Sequence, residues 1–107
     1  MALNFRMSVQ EKCSSLNLSL IGDFDGTSAC ELLNVLAERS SGTGKAVIDT
    51  KGLHRVYPFG VETFHKNLHV LKGASRSLVF TGEKAAAIAP EQKSFVSVEV
   101  VQPQGEL

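Results

Sequence analysis

At 107 residues and 11.5 kDa the chain makes one domain, 1–107, and argues against two. Apolar residues at 43% and charged residues at 21% exclude an intrinsically disordered chain, and no apolar run approaches the roughly 20 residues of a bilayer crossing. Eleven Lys and Arg offset eleven Asp and Glu, so a net charge of zero gives no electrostatic case for a nucleic-acid binder. From Asn4, Phe5, Met7 and Val9 alternate with Arg6, Ser8 and Gln10, and Leu16, Leu18 and Leu20 repeat the pattern against Ser15, Asn17 and Ser19. Period two over both segments, with 12–14 between them, predicts a β-hairpin with one buried face. Gly22-Asp23-Phe24-Asp25-Gly26 reads as the turn that follows.

Ser28 and Glu31 stand in capping-box relation, and Ala29, Leu32, Leu33, Leu36 and Ala37 recur at helical spacing. They predict an amphipathic helix over 28–40, stopped by Gly42. Ala46-Val47-Ile48 marks a buried strand within 45–50. The second helix puts Val61, Phe64, Leu68 and Leu71 on one side and Glu62, Lys66 and Asn67 on the other. Pro58 suits its first position, and Gly73 stops it. Leu78-Val79-Phe80 is another buried strand, 83–88 a short helix ended by Pro90, and 95–101 the last strand. Residues 102–107 are expected to fray. The order β-β-α-β-α-β-α-β predicts an α/β fold: an initial hairpin, then alternating units, in a mostly parallel sheet of about five strands with three to four helices.

Charge is uneven along the chain. Residues 45–84 hold seven Lys or Arg, three Asp or Glu and all three histidines, whereas both flanks are mildly acidic. A scattered solvated face accounts for this more simply than an acidic partner does. The polar start, without the apolar stretch of a signal peptide, leads to the expectation of a cytoplasmic address.

Several motifs together resemble the STAS domain of anti-sigma factor antagonists and of sulfate-transporter tails. Leu20-Ile21-Gly22-Asp23-Phe24-Asp25 is similar to the family's turn after the second strand. Val47-Ile48-Asp49 with Gly52-Leu53 is similar to its third strand, and Gly60-Val61 to the pair that follows its phosphorylation motif. The likeness runs from about Leu3 to Val101. It implies a non-enzymatic domain that binds another protein: an anti-sigma kinase relative, a histidine kinase or a transporter ATPase. It places the partner surface on Asp23, Asp25, Thr27, Tyr57, Pro58, Phe59 and Gly60. Tyr57-Pro58-Phe59-Gly60 stands where the family carries Asp-Ser-Ser-Gly, so the phosphorylated hydroxyl is replaced by Phe59 and control at that residue is absent. The resemblance also implies an alternative, since some STAS domains sense nucleotides or lipids between strand ends and helix starts. The six residues after the last strand, with Pro103, are expected to be too few for the helix the family usually adds there, and Phe95, Val96, Val98, Val100 and Val101 suggest an uncovered edge or face. A homodimer at tens of micromolar is the expected way to bury it.

No catalytic constellation appears: there is no GxSxG turn, no recognisable Cys-His arrangement and no GxxxxGKS loop. Gly42-Thr43-Gly44-Lys45 precedes a strand and reads as a helix stop. Cys13 and Cys30 match no metal or disulfide spacing. Cys30, in the first predicted helical turn, is a candidate reactive thiol, though a small apolar filler is the simpler role. Glu62, His65 and His69 form ExxHxxxH with the two imidazoles one turn apart, but two boundary histidines explain this without a metal. Asp23 and Asp25 serve equally as turn formers. The expectation is no enzyme, no cofactor and no metal. Phe59 has two readings, a staple tucked into the core or, with Tyr57, His54 and Arg55, a contact patch.

Overall fold

The computed structural model describes residues 4–12, 15–38, 44–71, 76–91, 93 and 96–101. Strand β1 (Arg6–Lys12) pairs antiparallel with β2 (Ser15–Phe24), Met7 opposite Leu20 and Val9 opposite Leu18. Parallel strands β3 (Lys45–Val56), β4 (Arg76–Thr81) and β5 (Val96–Val101) complete a sheet of order β1-β2-β3-β4-β5. The intervening helices are α1 (Gly26–Glu38), α2 (Pro58–Lys66) and α3 (Ala85–Ile88). This is the α/β fold expected, with a hairpin and then alternating units.

Consecutive parallel strands that are also neighbours, joined by crossovers of one hand, place all three helices on the same side of the sheet. Burial agrees: on β2, Leu16, Leu18 and Leu20 are buried, whereas Ser15, Asn17 and Ser19 are half-exposed. Ala46 and Ile48 of β3 and Leu78 and Phe80 of β4 extend the covered face. Leu32, Leu33 and Leu36 of α1 and Phe64 of α2 close over it. Phe5, Phe24, Phe64 and Phe80 form an edge-to-face chain with centroid separations of 6.3, 6.4 and 6.1 Å. Such pairs add about 0.5–1.5 kcal/mol each beyond their area burial.

Several boundaries differ from those the sequence predicts. The segment 22–24 is not a turn: β2 runs through it to Phe24, which is fully buried. Its partner β3 runs to Val56, beyond the expected 45–50, with register shifts between Ser19 and Ile21 and between Gly22 and Asp23. The extra residue at each shift lies on β3 and breaks its period of two, whereas β2 keeps its alternation through Gly22 and Phe24. Gly22, at φ +98, lies so close to the Asn4 backbone that a side chain is excluded.

Helix α1 begins at Gly26, two residues before the predicted start, while its predicted end and Gly42 lie outside the described residues. Helix α2 ends at Lys66 with Asn67 as its C-cap: the Asn67 amide still donates to the Thr63 carbonyl (3.1 Å), and its side-chain amide donates to the same oxygen (2.9 Å). Leu68–Leu71 then forms a 3-10 turn that still buries Leu68 and Leu71. Helix α3 is shorter than 83–88. On β5, Val96, Val98 and Val100 face the core, and Val101, 45% exposed, lies on the other side with Ser97 and Glu99. The uncovered apolar surface expected of this strand therefore shrinks to Val101 among the described residues. Cys13, Gly73, Phe95 and 102–107 lie outside them.

Candidate functional site

Strands β2 and β3 end side by side, and the Tyr57 amide donates to the Phe24 carbonyl at 2.9 Å. The chain thus leaves the sheet twice at the same edge, once into α1 and once into α2. Asp25, and not Ser28, caps α1. Its Oδ1 accepts from the Ser28 amide at 3.0 Å, and its carbonyl accepts from the Ala29 amide at 2.9 Å. Ser28 is instead the third helical residue, buried, its hydroxyl within 3.1 Å of both the Asp23 carbonyl and Asp25 Oδ1. The predicted capping box fails because Asp25 offers a carboxylate cap one turn earlier. Desolvation pushes the Asp25 carboxyl up, while the Ser28 amide and hydroxyl act the other way, and the net position is below its ordinary value.

Two glycines let the helix starts meet. A Cβ on Gly60 would sit 2.7 Å from the Asp25 Cα, so any side chain there collides with main chain. A Cβ on Gly26 would sit 2.8 Å from the Phe59 ring. Phe59 therefore lies across the start of α1, outside the core and 69% exposed. The staple reading fails because Gly60, packed on Asp25, already occupies the inward side of this turn. Tyr57 is 39% exposed, and the Phe59 carbonyl accepts from the Thr63 hydroxyl at 2.8 Å.

The structure brings Asp25, Thr27, Phe59 and Gly60 together. Asp25, Gly26, Thr27, Cys30, Phe59 and Thr63 line an open depression of about 430 Å³. Pro58 faces a second one, about 530 Å³, with Val56, Val61, His65 and Ala87. Asp23 stands on the strand, opposite Arg55, its amide donating to Asn4 Oδ1 at 3.3 Å. Cys30 falls in the second helical turn and is exposed, so the apolar-filler role does not hold. Thr63 was not marked by any motif; its spacing of four from Phe59 is the signal that finds it.

The ExxHxxxH spacing does not bring its imidazoles into one helical relation, because α2 ends between them. His65 Nε2 donates to the Ile88 carbonyl at 2.8 Å and ties α2 to α3. His69 is exposed, with Nδ1 3.3 Å from the Lys66 carbonyl, and Glu62 pairs with Lys66 at 3.6 Å. Among the described residues no three His, Cys, Asp or Glu side chains are grouped to hold a metal ion. No helix among them is long and apolar enough to cross a membrane.

No family model matches the sequence, and no curated protein does. The chain is similar to the solved structure of the anti-sigma factor antagonist SpoIIAA in its unphosphorylated form. That likeness has a TM-score of 0.53 at 10% identity and covers 72% of this chain and 71% of that one. It is also similar to a DUF3478-family protein with a SpoIIAA-like fold from Shewanella loihica PV-4. Here the TM-score is 0.54 at 12% identity, over 91% of this chain and 84% of that one. The chain has a STAS-like, SpoIIAA-like fold.

Proposed function

We propose that this is a non-enzymatic protein-interaction domain of a bacterial regulatory or transport system, acting in the cytoplasm without a phosphoserine switch. The observation that carries it is the exposed Phe59, held with Tyr57 at the start of α2 on a backbone that Gly60 locks to Asp25. Large aromatics on a rigid support give contact area at little entropic cost, and such residues dominate binding energy at interfaces. The surface is Asp23, Asp25, Thr27, Tyr57, Pro58, Phe59 and Gly60. Its partner is an anti-sigma kinase relative, a histidine kinase or a transporter ATPase. Phe59 has no hydroxyl, and the neighbouring Ser28 is buried with its hydroxyl engaged, so neither accepts a phosphoryl group in the folded chain.

One observation favours a second reading, a small-ligand sensor: the depression beside Cys30 and Phe59 falls within the roughly 300–1,000 Å³ of small-molecule pockets. Native mass spectrometry of the chain purified from the organism that encodes it separates the two. A protein retained by the wild type and lost from Phe59→Ala supports the interaction domain. A retained small mass supports the sensor instead, and a bound protein indifferent to Phe59 overturns the surface.

A further inference from the structure

The two edges of the sheet are finished differently. At β5, Lys93 exchanges amide–carbonyl hydrogen bonds with Val96 at 3.2 and 3.3 Å, so the chain engages its own edge strand. At β1, the other end of the strand order, no strand among the described residues pairs with the outer edge. In an antiparallel ladder every second residue turns its amide and carbonyl away from its partner, so β1 presents main-chain donors and acceptors there over 6–10. Two devices that blunt an edge, proline and a bulge, are absent. The seven residues of β1 hold no Pro or Gly, and the register with β2 runs from Arg6 to Lys12 without a shift. Phe5, Met7 and Val9 are packed on the core but only partly buried, whereas Arg6, Ser8 and Gln10 are exposed on the opposite face.

The sequence of β1 matches itself in reverse. About an axis at Ser8, antiparallel pairing of two such strands sets Met7 against Val9, Arg6 against Gln10 and Phe5 against Glu11, with no like charges opposed. An axis at Val9 would instead oppose Arg6 to Lys12 and Met7 to Glu11, and one at Met7 would pair only 6–8 of the strand. We propose that β1 pairs antiparallel with β1 of a second copy about a two-fold axis at Ser8, joining two five-stranded sheets into one. The pairing covers the half-buried Met7 and Val9 of both copies, and the zero net charge sets no repulsion between them. Pairing of like edges closes at two copies. This dimer uses the opposite edge from the one expected of β5, and it is independent of the surface proposed at the ends of β2 and β3.

Sedimentation equilibrium of the full chain at about 100 μM tests this. The expected result is a dimer whose dissociation constant rises about fivefold in Gln10→Lys, where Lys opposes Arg6, and falls about fivefold in Gln10→Glu. Opposite signs separate this register from a general effect of net charge, which repels copies in either variant. Ser8→Lys, which sets two cations across the axis, weakens the dimer about threefold. Both positions are exposed, and circular dichroism checks that each variant folds as wild type does. A monomer at this concentration overturns the proposal. A dimer indifferent to residues 8 and 10, or shifted the same way by both Gln10 variants, overturns the β1 pairing.

Discussion

Helices α1 and α2 begin in contact with each other, yet their first turns are built in opposite ways. Helix α1 closes on itself: Asp25 takes the Ser28 amide, and Ser28 is buried with its hydroxyl on Asp23 and Asp25. Helix α2 has no such cap, and it opens with Pro58 between two exposed aromatics. One start satisfies its polar groups within the chain, and the other leaves its first turn without a side-chain cap and its rings exposed. Both starts share their position relative to the sheet; local side-chain chemistry is what makes one closed and the other open.

The contrast breaks first at Gly60. Ala at this position drives a methyl into the Asp25 main chain, which cannot swing aside, and costs about 3 kcal/mol in chemical denaturation. Asp25→Ala removes the α1 cap and costs about 1 kcal/mol. The charge on this cap also sets a pH dependence. A carboxyl held below the ordinary 3.8 contributes stability above that pH, which is lost as pH falls through the lower folded-state value. Asp25→Asn keeps a capping oxygen without the charge. The difference in melting temperature between wild type and Asp25→Asn should be constant above about pH 5 and shift against wild type below it.

Tyr57→Asp supplies the cap that α2 lacks, so it should stabilise by about 0.5–1 kcal/mol while weakening partner binding. A variant that lost stability would show that Tyr57 packs more than its exposure indicates. Gly26→Ala has the smallest expected effect on folding, within about 0.5 kcal/mol, because its methyl crowds the movable ring of Phe59 and meets Thr63 Oγ1 at ordinary contact distance. Phe59→Ala should melt equally close to wild type, whereas both changes reduce binding. A large drop in melting temperature for Phe59→Ala would return that side chain to the core.

The hairpin, the parallel order and the core leucines were legible in the sequence because Leu16, Leu18 and Leu20, and then Leu32, Leu33 and Leu36, follow clean periods of 2 and 3.6. The extended ends of β2 and β3 were not. Their shifted register sets Ile21 against Gly52 and Asp23 against Arg55, and Gly and Asp read as a turn when the strand beside them is unknown. The proposed partner surface rests on resemblance, and the fate of Phe59 was beyond it. Whether that ring enters the core depends on the approach of Gly60 to Asp25, two residues 35 positions apart in the chain. Ser28 was misread for a related reason: Ser and Asp both cap helices, and only the hydrogen bonds show which one does.

The strictly sequential strand order has a consequence for how the molecule comes into being. Each strand pairs with the one made just before it, and no later strand must be threaded between two earlier ones. During synthesis the sheet can grow by addition at one edge, every closure spanning a single helix after the first hairpin. By the time Thr81 has emerged, four strands can already be paired. The last strand then adds to an edge that presents a formed template, so the β4–β5 pairing should be the latest step to gain protection from amide hydrogen exchange.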